Sequence, residues 1–125
     1  MAKKILLVDD EVDFLTIMGE RIEAWGYDVI TAKNALEALE LFDKEKPDVI
    51  AIDYLMPEVN GIELLRKIRE ISKDIPAIIL TAKPESEVIG DATKLNISAF
   101  IPKLSPYADV KSSLQTTLGM IFKGR

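Results

Sequence analysis

Four short apolar runs in this chain each end at a polar residue suited to touching a phosphate or a metal. Ile5-Leu6-Leu7-Val8 ends in Asp9-Asp10, and Val49-Ile50-Ala51-Ile52 ends in Asp53. Ala77-Ile78-Ile79-Leu80 ends in Thr81, and Ala99-Phe100-Ile101 is followed, past Pro102, by Lys103. The runs are rich in branched residues and separated by helix-like sequence, which is the pattern of buried parallel strands. All strand C-termini of a parallel sheet lie on one edge. Three carboxylates, a hydroxyl and an amine, far apart in sequence, are thereby expected to meet there. Open α/β sheets bind ligands at that edge, where the strand order reverses.

The periodicity predicts five strand–helix repeats, with strands near 4–8, 28–31, 48–52, 76–80 and 98–101 and helices near 11–25, 34–45, 61–72, 84–95 and 106–122. Stripes at spacings of three and four mark the helix faces. They comprise Phe14, Leu15, Met18, Ile22 and Trp25; Ala35, Ala38, Leu39 and Phe42; Ile62, Leu65, Ile68 and Ile71; and Val110, Leu114, Leu118 and Ile121. The fourth helix (Val88, Ala92, Leu95) is the weakest, since Gly90 inside it costs about 1 kcal/mol relative to alanine. Gly26 reads as a helix stop, and Ser105-Pro106 as an N-cap with proline in the first helical position. The second strand is the least apolar and suits an edge, while the first and third suit the centre. The expected fold is a doubly wound (βα)5 open parallel sheet, flavodoxin-like, with strand order 2-1-3-4-5.

Composition narrows the chemistry. The 125 residues, 48% apolar, suffice for one well-filled core and not for two ordinary domains. A net charge of −5 without a basic stripe gives no electrostatic footprint for nucleic acid. Cysteine and histidine are both absent, so disulfides, thiolate or imidazole metal sites and histidine-based triads are excluded. No apolar stretch approaches a membrane span, and a soluble cytoplasmic chain is expected. No glycine-rich phosphate loop follows the first strand.

With the first and third strands adjacent, about 4.8 Å apart, Asp9, Asp10 and Asp53 would share one crevice. Three ionised carboxylates there raise one another's pKa unless a cation intervenes. A hard cation, Mg²⁺ or Mn²⁺, takes carboxylate and carbonyl oxygens and resolves that conflict. Taken singly, Asp10 is as well explained as a helix cap and Asp53 as the start of a loop. Their joint placement at strand ends is not.

The segment Asp53-Tyr54-Leu55-Met56-Pro57-Glu58-Val59-Asn60-Gly61 completes a pattern. It combines an acidic pair after the first strand, Asp-x-x-Met-Pro-x-x-x-Gly, Thr81-Ala82 after the fourth strand and Lys103 after the fifth. In these features the chain resembles the receiver domain of two-component response regulators over essentially its whole length. The resemblance implies that residues 1–125 form a single receiver domain. It implies that Asp53 is the phosphoacceptor, taking a phosphoryl group from a histidine kinase, a phosphotransfer protein or a small donor. Asp10 would bind Mg²⁺ directly, Asp9 mainly through water, and the Leu55 backbone carbonyl would be a further ligand. Thr81 and Lys103 would each bind a phosphoryl oxygen, and Phe100 would be the aromatic switch whose rotamer follows Thr81. The output would pass to a downstream effector protein, or through a phosphorylation-dependent dimer, by a change in the surface of the fourth helix, fifth strand and fifth helix. No independent enzyme activity is implied beyond the protein's own phosphorylation and dephosphorylation.

Two departures from the family pattern matter. The family commonly has proline, joined by a cis bond, after the active-site lysine. Here Leu104 follows, and because a cis bond before leucine costs about 3 kcal/mol, a trans bond with a shifted Lys103 is expected. Leu55 and Lys83, two residues after Asp53 and Thr81, border the path of attacking water in the family. Leu55 cannot orient water, so slow autodephosphorylation is expected. A degenerate receiver, binding partners without phosphorylation, is the competing reading. A hydrolase of the aspartyl-phosphate type would instead show Asp-x-Asp after the first strand, a spacing that Asp9-Asp10-Glu11 lacks.

Overall fold

A computed structural model describes residues 2–82, 86–103 and 107–123. In chain order its elements are β1 (Lys4–Val8), α1 (Val12–Ala24), β2 (Asp28–Ala32), α2 (Ala35–Glu45), β3 (Val49–Asp53), α3 (Gly61–Ile71), β4 (Ala77–Thr81), α4 (Ser86–Lys94), β5 (Ala99–Pro102) and α5 (Ala108–Lys123). The strands form one parallel sheet in the order β2-β1-β3-β4-β5. Every expected element is present. The last three strands begin one residue later than expected, and Asp53 and Thr81 lie within β3 and β4 as their final residues rather than beyond them. The Ser105-Pro106 cap, Lys83 and the Lys103–Leu104 bond fall outside the described residues.

Strand side chains alternate between two apolar layers, as the two-residue period requires. Leu6, Val8, Ile50, Ile52 and Ile79 pack with Ala38, Phe42, Leu65 and Ile68 from α2 and α3. Ile5, Leu7, Val49, Ala51, Ile78 and Leu80 pack on the opposite face with Phe14, Met18 and Ile22 of α1 and Leu114 and Leu118 of α5. The central strands are buried throughout, whereas β2 and β5 expose part of their length, as edge strands do.

One core assignment fails. Ile71 is 64% exposed, and Leu64 is fully buried in its place. A run of strict threes drifts off a helix face by about 60° per step, because the true period is 3.6 residues. From Ile62 to Ile71 that drift reaches the far side. The buried face of α3 is Ile62, Leu64, Leu65 and Ile68.

Candidate functional site

Register delivers the acids to one place. Val8 pairs with Ile52 across β1 and β3, so Asp9, one step further, stands beside Asp53. Asp53 pairs with Leu80, and Thr81 with Pro102, which carries Thr81 and Lys103 to the same edge. Backbone bonds extend the ladders just past the strands. Tyr54 N–H donates to Leu80 O at 2.7 Å, and Lys103 N–H to Thr81 O at 2.6 Å. The last of these fixes where the Lys103 side chain starts.

The loop after Asp53 is held at both ends. Met56 is buried in the core, and Gly61 N–H returns to Tyr54 O at 2.9 Å. A Cβ on Gly61 would lie 2.5 Å from Asp53 O and 2.9 Å from Ile52 Cγ2. Glycine is therefore required there by close approach of α3 to the end of β3. Asn60 seats the helix through a reciprocal capping box, its side chain accepting from Glu63 N–H at 2.9 Å while Glu63 accepts from Asn60 N–H at 3.3 Å. This Asn-x-x-Glu spacing is a capping signal that sequence alone carries. Glu58, in the same loop, takes a left-handed φ of 68°.

Asp9, Asp53, Thr81 and Lys103 are all buried, and Asp10 is exposed. One carboxylate oxygen from each of Asp9, Asp10 and Asp53 lies within 4.8 Å of the others. Lys103 Nζ sits 2.7 Å from Asp9 Oδ2, 2.5 Å from Glu11 Oε1 and 3.7 Å from Asp53 Oδ2. The contact with Asp9 Oδ2 is an ion pair without hydrogen-bond alignment, while Asp9 Oδ1 accepts from Glu11 N–H at 2.9 Å. Phe14 lies beneath the ammonium, 4.5 Å from Nζ to ring centroid, and Tyr107 packs edge-on against Phe14. Leu55 is a half-exposed loop residue, and Phe100 is half-buried against the core.

The charges are out of balance. Burial first, then the charge of Asp9, push the Asp53 carboxyl up to about 7; Lys103 opposes this, and Asp10 and Glu11 add to it. Asp9 is likewise raised by burial, against the adjacent Lys103 ammonium and the bond from the Glu11 N–H. Burial alone would lower the Lys103 ammonium, but the Asp9 and Glu11 carboxylates against it hold it above its ordinary value. Together the three acids offer only hard oxygen donors, the set a divalent cation such as Mg²⁺ takes. Glu11 is the site residue that sequence alone does not single out. Its only signal was its place after the acidic pair, and its partner lies 92 residues away.

A five-stranded sheet of this order with acids at its reversal is a doubly wound fold with a ligand-binding edge, and comparison with known proteins gives the family. Residues 5–115 match the response regulator receiver domain, and the chain belongs to that family of phosphorylation-activated signalling switches. It is 45% identical over 85 residues to the alkaline phosphatase synthesis transcriptional regulatory protein PhoP of Bacillus subtilis, covering 68% of this chain and 35% of that protein. It is 30% identical over 118 residues to sporulation initiation phosphotransferase F of the same organism, covering 94% of this chain and 95% of that one. Among solved structures, the response regulator TrrA of Thermotoga maritima, in complex with Mg²⁺-BeF, superposes with a TM-score of 0.77 at 30% identity, over 92% of this chain and 98% of its own.

Proposed function

We propose that residues 1–125 act as one receiver unit whose phosphoacceptor is Asp53. The observation that carries this is the buried Asp53 carboxylate, set between two further acids and 3.7 Å from the Lys103 ammonium. An Asp53 oxygen attacks the phosphorus of a phosphohistidine or acyl phosphate. The bond from phosphorus to the donor breaks, and the donor leaves with the electron pair. Aspartyl phosphate is an established covalent intermediate type, and phosphoryl transfer depends mainly on positioning and on neutralising oxygen charge. Asp9, Asp10, Asp53 and the Leu55 carbonyl would hold Mg²⁺ or Mn²⁺, which when bound neutralises charge on the phosphoryl oxygens. Lys103 supplies a second positive charge to one oxygen and Thr81 a hydroxyl donor to another.

The added charge on Asp53 then draws Thr81, and Phe100 moves with it, altering the α4–β5–α5 face. That is a local electrostatic event biasing a two-state surface. The partners in this reading are a sensor histidine kinase or phosphotransfer protein upstream and an effector protein, or a second copy, downstream. No direct contact with nucleic acid or membrane is involved, and the protein works in the cytoplasm without an independent substrate. No helix among the described residues is long and apolar enough to cross a membrane, which fits that location.

The test is intact mass after incubation with acetyl phosphate and Mg²⁺, alongside Asp53→Asn and a chelated sample. A phosphoryl adduct that needs the metal and disappears in the variant is expected. No adduct with any donor, histidine kinases included, would favour the phosphorylation-independent module.

A further inference from the structure

Glu11 is the N-cap of α1, a position where short polar side chains normally accept a bond from the first helical turn. Its side chain makes no such bond. Instead it reaches across to the ammonium of Lys103 at 2.5 Å, closer than Asp9 and far closer than Asp53. The second oxygen of the same carboxylate accepts from the Tyr107 hydroxyl at 3.5 Å. The contact is thus not a by-product of helix capping. It ties the β1–α1 loop to the segment that leads into α5.

The arrangement matters because the ammonium is committed. Lys103 is almost fully buried, with Phe14 below it and two carboxylates in direct contact, and at 3.7 Å it pairs with Asp53 without bonding to it. Of the two carboxylates holding it, Asp9 is fully buried and fixed by the Glu11 N–H. Glu11 is 54% exposed, so water can reach its carboxylate and take over its bonds. Resting on the reading of Asp53 as phosphoacceptor, we propose that Glu11 is a positioning residue that holds Lys103 back in the resting state and surrenders it when a phosphoryl group arrives. Release of Glu11 also frees Tyr107, so the signal gains a route to the start of α5 separate from Thr81 and Phe100.

The experiment compares the rate of acetyl-phosphate adduct formation, by intact mass with Mg²⁺, in the wild type, Glu11→Gln and Asp13→Asn. Asp13 is an exposed acid of the same helical turn and has no contact with Lys103 among those described. Glu11→Gln is expected to be faster than wild type by about threefold to tenfold, the scale of a half-exposed charge-assisted bond. Asp13→Asn is expected to stay within about twofold. Repeating the series in about 0.5 M KCl separates direct pairing from general repulsion of an anionic donor, because salt screens the second and spares a buried pair. The Glu11→Gln gain should survive. A gain no larger than that of Asp13→Asn, or one that vanishes in salt, overturns the proposal while leaving Asp53 as acceptor. Absence of any adduct in the wild type removes the acceptor reading, and this inference with it.

Discussion

Replacing Asp53 by asparagine should stabilise the metal-free protein, by a margin that grows from about pH 4 and is complete above neutral pH. The cause is burial at the strand ends first and the charge of Asp9 second, which push the Asp53 carboxyl from 3.8 up to about 7. In the folded chain the group holds its proton up to near pH 7, while in the unfolded chain it loses it near pH 4. Between those values the folded state binds more protons, so stability falls as pH rises. The contribution is complete below the unfolded value and is lost as pH passes through 7. A shift of roughly three pH units corresponds to about 4 kcal/mol. That is a ceiling, since the acids share the repulsion and a buried amide has a desolvation cost of its own. We expect Asp53→Asn to exceed wild type by about 1–3 kcal/mol at pH 8 in chelator, a large effect for one substitution. At pH 5 the gap should shrink below about 1 kcal/mol by the same linkage. Urea unfolding at half-unit steps from pH 5 to 8.5 measures both slopes. Adding Mg²⁺ at pH 8 should stabilise wild type through mass action and the variant much less. Parallel pH slopes in the two proteins, or a less stable variant at pH 8, would refute the electrostatic reasoning.

Gly61→Ala places a methyl against Asp53 O and Ile52 Cγ2, and should cost about 2–4 kcal/mol in urea unfolding as well as slowing adduct formation. Arg69 donates to four backbone carbonyls, those of Ser72, Ile75, Leu95 and Asn96, clasping the end of α4 to the entry of β4. Arg69→Met should cost about 2–3 kcal/mol and speed hydrogen exchange at residues 92–97; unchanged exchange there would show that the clasp does not hold α4. Leu55→Asn, by supplying a polar group beside Asp53, should shorten the lifetime of the phosphorylated form, measured by loss of adduct mass after donor removal. A longer lifetime in the variant would contradict the assignment of Leu55 as the residue that leaves water unoriented.

How far the sequence was legible depends on the range of the interaction that decides each feature. The strands were legible because each is a local apolar run, and their edge chemistry because parallel topology puts every run's end in one place. Asp9, Asp53, Thr81 and Lys103 could thus be grouped before any contact was known. Ile71 misled because its placement turns on helical phase accumulated over nine residues from Ile62, with Leu64 filling the face instead. Glu11 was harder still. Nothing near it in sequence distinguishes a solvated acid at a helix start from the counter-ion of a lysine 92 residues away. That pairing exists only because β1 and β5 end on the same edge and because α1 leaves the Glu11 side chain uncapped. The same logic explains why the chemistry-bearing acids read clearly and their electrostatic state did not. Identity and spacing are written locally. The push of the Asp53 carboxyl to about 7 comes from burial and from charges contributed by other strand ends. The site's reactivity is therefore a property of the assembled edge, and substitutions that leave every motif residue intact, such as Glu11→Gln, are the ones that should expose it.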